Sequence, residues 1–409
     1  MRTRAQPKWD RSKRGSAIVA VACTLGFGSA AAHGADWPNF RGPHHDGICL
    51  ESGLRVSGKD PLPLVWQQDI GSAFSSFAVV GDRVYTCGTK SDKQYLFCLR
   101  ADDGRILWET AIEPAYENTH GSGTRATPTV HDGKVYILGA HGRWLCVDAA
   151  SGTTKWTYTL HNPPTWGYAG SILVQGDLAI ATGGHQDGAL LALDRQSGVV
   201  RWRCGTDAPG YATPYPFTFH DKNYVLGFSG ESAVIAEAAT GRLALRIPWS
   251  TAWQVNAAAP IVHDDYLFLS SGYQTGCGLF RLTTEADALS TSLIWQSRVL
   301  RNKFQSCIYQ DGYLYASDQR GLKCVRFLSG EAAWSIPRIQ HGTLVPAQNH
   351  LFLLTEHGEL QVAERSPKGF EPTLTAEILS GRCWTVPVIS GGRLFARSLE
   401  RVVCFDLRR

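Results

Sequence analysis

The feature that most constrains this chain is a unit of 42 to 48 residues that returns along it. Residues 128–160, PTVHDGKVYILGAHGRWLCVDAASGTTKWTYTL, show it most fully. Lys134–Leu138 is rich in β-branched and aromatic residues and reads as a strand. Asp132-Gly133 before it is a tight hairpin signal. Trp144–Asp148 is a nearly continuous apolar strand, covered on both faces. In Asp148-Ala149-Ala150-Ser151-Gly152 the carboxylate can accept N–H bonds inside a turn, and Gly152 can take the left-handed position. Lys155-Trp156-Thr157 lies on a closing strand. Each unit is therefore one four-stranded antiparallel sheet, and repetition at this period predicts a propeller.

The other copies keep the pattern to different degrees. Residues 77–110 carry Gly81-Asp82, Asp102-Asp103-Gly104 and Trp108. Residues 171–204 carry Gly176-Asp177, Asp194, Ser197-Gly198 and Trp202. Residues 216–249 keep Thr240-Gly241 but place Leu245 where Trp is expected. Residues 260–297 keep Trp295 with a longer last hairpin, and 308–336 keep Ser329-Gly330 and Trp334. Residues 345–379 keep little beyond the strand pattern. Residues 387–409 stop one strand short, and residues 64–68, LVWQQ, are that strand standing alone at the front. A two-ended remainder closes a ring without a free seam. The expectation is an all-β, eight-bladed propeller of four-stranded antiparallel blades, its N-terminal strand completing the C-terminal blade.

Met1–Arg14 holds six basic residues against one acid, and 15–35 carries no Asp, Glu, Lys or Arg. With small residues at Ala30, Ala32 and Ala35, residues 1–35 read as a secretory signal peptide; a lipid anchor at Cys23 is a weaker alternative. The formal charge of +4 is owed to this leader, and the rest of the chain is about −1. No basic footprint for nucleic acid remains, and no later run is apolar enough to span a membrane. Export to the periplasm or cell envelope follows.

Residues 36–63 are a Pro/Gly-rich lead-in, ordered by packing Trp37 and Phe40 on the ring, and 64–409 form the propeller. His44-His45 reads as solvated. Of ten cysteines beyond the leader, Cys98, Cys146, Cys324 and Cys404 recur at one third-strand place, which Ala192 and Ala236 also fill. Equivalent places on different blades are too far apart for a disulfide, so these read as small buried apolar side chains. Cys49, Cys87, Cys204, Cys277, Cys307 and Cys383 stay open.

Asp148…Ser151-Gly152…Trp156 and Asp194…Ser197-Gly198…Trp202 resemble the tryptophan-docking motif of pyrroloquinoline quinone (PQQ)-type propellers. The chain is similar to the PQQ-binding-like repeat family, which includes the outer-membrane assembly lipoprotein BamB. The lead-in Trp37-Pro38…Phe40-Arg41-Gly42-Pro43 resembles the start of exported members. Trp66, Trp108, Trp156, Trp202, Trp295 and Trp334 read as inter-blade docking residues. A buried Trp hides about 150–250 Å², or roughly 4–6 kcal/mol gross, and its indole N–H needs a carbonyl on the neighbouring blade.

Function should sit where loops approach the innermost strands. Those segments carry Arg125, Tyr168, Tyr211, Trp253, Asn256, Gln305 and Trp384, with His120 and His341 comparably placed. Either they plug the channel and bond one another, or some of them form a small-molecule or peptide site. No esterase elbow, P-loop or metalloprotease motif is present. The expected function is a non-catalytic scaffold of the envelope, monomeric, binding a protein or small ligand. The alternative is a quinoprotein dehydrogenase, which needs PQQ, calcium held by oxygen ligands and a carboxylate base; the quoted segments contain no acid.

Overall fold

Where the motif tryptophan enters its strand, the backbone slips by one residue. In the computed structural model the fourth strand of every blade carries a register shift against the third, beside the docking position. A bulge bends the strand and re-aims the side chain next to it, here toward the neighbouring blade. The structure describes Met1 and residues 35–286, 288–339 and 341–408. The expected leader, with Cys23, falls on residues outside this description.

The described chain forms eight four-stranded antiparallel sheets. Blade 1 runs Ala78–Val80, Arg83–Lys90, Lys93–Arg100 and Ile106–Pro114. Blades 2 to 7 cover residues 129–159, 173–204, 215–248, 261–297, 308–337 and 343–377. Blade 8 is Val388–Ser390, Arg393–Arg397 and Arg401–Asp406, completed by Leu64–Asp69. Trp66 stands opposite Cys404, as the closure predicts. Blade 5 has the long last hairpin, two ten-residue strands. Blade 7, faint in sequence, is complete, because alternating apolar residues suffice where motif residues are lacking.

All six tryptophans dock as expected. Trp66, Trp108, Trp156, Trp202, Trp295 and Trp334 donate Nε1–H to the carbonyls of Ala101, Ala149, Arg195, Ala238, Phe327 and Ser366, each on the next blade, at 2.8–3.2 Å. The accepting turns are held from within. Asp148 Oδ1 accepts Ser151 N–H at 3.0 Å, and Asp194 Oδ1 accepts Ser197 N–H at 2.9 Å. Gly198 sits at φ 74°, and a Cβ there would come within 2.8 Å of the Trp156 ring. The glycine thus serves both the turn and the ring above it. Leu245 and Leu374 take the tryptophan's place in blades 4 and 7.

Two expectations are corrected. The third-strand place held by Cys146 belongs in blade 4 to Ile235, paired with Leu245, and not to Ala236, because the bulge falls after Ile235. His45 is partly covered rather than solvated, since the lead-in folds over it. All ten described cysteines are buried free thiols, which settles the six left open. Ring closure has its own lock: Arg397, fully buried in blade 8, donates to the carbonyls of Ser75, Cys87 and Gly71 near blade 1 and to Leu399. Burial without a carboxylate lowers its pKa to about 10.

Candidate functional site

Each innermost strand is preceded by an extended approach, so alternate residues face the axis. This parity builds two rings. The inner ring is six hydroxyls, Ser76, Thr127, Ser171, Thr213, Ser306 and Thr343, with Ala259 and Val386 in the remaining places. The hydroxyls stitch neighbouring blades together. Ser76 N–H donates to Thr127 Oγ1 at 3.1 Å, Thr127 N–H to Ser171 Oγ at 2.9 Å and Ser171 N–H to Thr213 Oγ1 at 2.9 Å. Their role is structural.

Two residues earlier on the same face stand Phe74, Arg125, Tyr211, Phe304, His341 and Trp384, with Ala169 and Ala257 in blades 3 and 5. Phe304 stacks on His341 at 5.4 Å and tilts against Trp384 at 5.0 Å. Trp384 stacks on Phe74 at 5.9 Å. The guanidinium of Arg125 lies 4.3 Å over Tyr116 and 5.6 Å from Phe74. It donates to the carbonyls of Trp166, Gly121 and Gly123. With no carboxylate beside it, burial lowers its pKa to about 10.

These rings enclose a cavity of about 260 Å³. Lys303, His120, Trp166 and Tyr273 stand at its mouth, and Trp37, Phe40, Arg41 and Gly47 of the lead-in close the opposite end. The lining holds three obligate cations, Arg41, Arg125 and Lys303, and no Asp or Glu among the described residues.

The seven residues picked from sequence divide, for the most part by parity, with Gln305 reaching the cavity although it stands between the axis-facing Phe304 and Ser306. Arg125, Tyr211, Gln305 and Trp384 line the cavity. Gln305 Nε2 lies 3.3 Å from His341 Nδ1. Tyr168 and Asn256, one residue out of phase, turn into the wall. Tyr168 Oη donates to Gly183 O at 3.2 Å. Asn256 Nδ2 donates to Ser229 O and Trp249 O, and its Oδ1 accepts from Ser271. Trp253 is 68% exposed on a short turn at φ 66°, away from the lining. Phe74, Lys303, Phe304 and Arg41 were missed. The signal for Phe74 was its place two residues before Ser76, matching Arg125 before Thr127 and Tyr211 before Thr213.

A calcium-dependent quinone cofactor does not fit this lining. Calcium takes about six to eight oxygen ligands, carboxylates prominent among them, and the described cavity wall offers hydroxyls and an amide but no carboxylate. The Asn256 amide is spent on the wall, and no group of three His, Cys, Asp or Glu able to hold a metal occurs among the described residues.

Fold and docking geometry define a PQQ-like repeat propeller. The family model described as outer membrane protein assembly factor BamB matches residues 60–276, more than half of the chain, and the chain belongs to that PQQ-like β-propeller repeat family. Among curated relatives, the 1-butanol dehydrogenase (quinone) of Thauera butanivorans is 31% identical over 123 residues, 27% of this chain and 19% of that protein. BamB of Yersinia pestis is 26% identical over 166 residues, 37% of this chain and 38% of that protein. The matches thus span well under two thirds of either relative. Among solved structures, BamB from Moraxella catarrhalis aligns with TM-score 0.62 at 16% identity, covering 84% of this chain and 99% of that one. The quinohemoprotein alcohol dehydrogenase from Comamonas testosteroni aligns with TM-score 0.63 at 13% identity, covering 90% and 80%. At these identities the likeness is one of fold. No helix among the described residues is long and apolar enough to cross a membrane.

Proposed function

We propose that this protein is an exported, non-catalytic binding propeller of the cell envelope whose central cavity takes a small organic ligand. One observation carries the reading: a blind cavity with aromatic and cationic walls, placed where the approach segments of all eight blades converge. Concave, largely apolar sites with a few convergent polar groups are the usual form of small-molecule pockets. The leader composition and the BamB-like relatives support the envelope location. The dehydrogenase reading is disfavoured because the described lining carries no carboxylate, either to abstract a proton or to help hold calcium.

The test is calorimetric titration with a panel of small planar aromatic compounds, PQQ with and without Ca²⁺ included. One-to-one binding that is lost in Trp384→Ala, with an unchanged thermal midpoint, supports the proposal. Failure of the whole panel to bind sinks it. Dye-linked alcohol turnover after reconstitution with PQQ and Ca²⁺ would overturn the non-catalytic reading in favour of the dehydrogenase.

A further inference from the structure

The closed end of the cavity is made by a segment outside the repeats. Trp37 exchanges two backbone hydrogen bonds with Val79, while Pro38 accepts from Val130 and Cys49 donates to Pro346. The lead-in therefore crosses the ring where the innermost strands finish. Into the cavity it brings one cation, Arg41, which is only 7% exposed. Arg41 Nε donates to His45 O at 3.1 Å, and Nη2 donates to Asp46 O at 2.7 Å and Cys307 O at 3.0 Å. All three acceptors are neutral carbonyls. The Asp46 carboxylate takes the N–H of Ile48 at 2.9 Å instead. A guanidinium has five N–H donors in a fixed fork. Three are used here, and Nη1, with two, donates to nothing among the described residues.

A buried charge without a direct ion pair is costly, and the free Nη1 can give a charge-assisted hydrogen bond to the oxygen of a carboxylate or sulfonate. At the other end of the cavity the Phe304–Trp384–Phe74 crescent offers ring faces to an apolar group. We propose that Arg41 is the anion receptor of this cavity: its ligand is a small organic acid, seated with the acid on Nη1 and its ring against Phe304 and Trp384. This rests on the reading that the cavity binds a small ligand, and it makes the lead-in part of the site.

The test is titration of the full chain with 2-naphthoate and its uncharged counterpart 2-naphthamide, in the native protein, Arg41→Gln and Lys303→Met. The native protein should prefer the acid by about ten- to hundredfold, the range of charge-assisted hydrogen bonds. Arg41→Gln should lose the preference yet still bind the amide, and Lys303→Met should keep it. In the native protein the preference should survive about 0.5 M salt, which screens exposed charges far more than buried ones. This last measurement holds even where Arg41→Gln loosens the lead-in. Equal binding of the two probes by the native protein, a preference that survives Arg41→Gln, or one lost in Lys303→Met or in salt overturns the assignment alone. If neither probe binds the native protein, the cavity reading falls and takes this inference with it.

Discussion

Replacing Gly198 by alanine separates the two duties of the motif glycine. At φ 74° an alanine pays the left-handed penalty, about 1–2 kcal/mol. Its Cβ also meets the Trp156 ring at 2.8 Å, tighter than van der Waals contact allows, and overpacking of this kind adds about 1–3 kcal/mol. The expected total is about 2–5 kcal/mol. Gly176, in the same blade at φ 57°, is the internal control, because a Cβ there has nothing within 4 Å; Gly176→Ala should cost only about 1–2 kcal/mol. Guanidinium unfolding, followed by tryptophan fluorescence and circular dichroism with coincident transitions, measures both. Adding Trp156→Leu, the residue blades 4 and 7 use at this place, should relieve the clash and give a coupling of about 1–3 kcal/mol. If the two glycine variants agree within about 0.5 kcal/mol, inside the range of ordinary surface substitutions, ring-on-glycine docking contributes nothing.

Arg397→Met leaves several buried carbonyls at the ring seam unpaired, at about 1–3 kcal/mol each, so denaturant unfolding should show a loss of at least about 3 kcal/mol; a loss under about 1 would show that strand pairing alone closes the ring. Burial pushes the thiols of Cys49, Cys87, Cys383 and Cys404 up to about 12, so Ellman's reagent at pH 8 should leave the native protein unlabelled and react fully once it is denatured, whereas rapid native labelling would contradict the buried placement. His45 is lowered to about 4 by burial, with Arg41 and His44 repelling its proton. Its folded value lies below the unfolded value near 6.5, so the unfolded chain takes the proton first and stability falls as pH drops from about 6.5 toward 4. The part of the ring open to solvent holds the effect to about 1–2 kcal/mol. His45→Asn, which tolerates the left-handed backbone there, should flatten that slope in denaturant midpoints, and an unchanged slope would assign it elsewhere.

The ring was legible because its signals are local. A hairpin needs Asp-Gly, a docking turn needs Asp and Gly at fixed offsets, and each tryptophan reports its own blade. Where a signal was replaced by ordinary apolar alternation, as in 345–379, the blade still formed but could not be read with the same precision. The slip from Ile235 to Ala236 has the same origin, for a bulge moves register by one residue and leaves no mark in composition. The cavity was half legible. Choosing aromatic and polar residues near a strand finds the right segments, but only counting by two from Thr127 or Ser306 tells Arg125 and Phe304 from Tyr168 and Asn256. Arg41 lay beyond such reasoning, because its place depends on a segment crossing from blade 1 to blade 7 through backbone bonds that no periodicity announces.

That crossing segment also sets the traffic through the molecule. A propeller channel is commonly open at both ends, whereas here, among the described residues, the lead-in covers one of them. A guest bound as proposed would leave by the route it came, past Lys303, His120, Trp166 and Tyr273 at the mouth. Changes at that mouth should therefore alter arrival and departure rates together while sparing equilibrium affinity, whereas changes at Trp384, Phe304 or Arg41 should act on affinity and residence time. A cavity covered at one end suits the holding of a guest more than its passage from one side to the other.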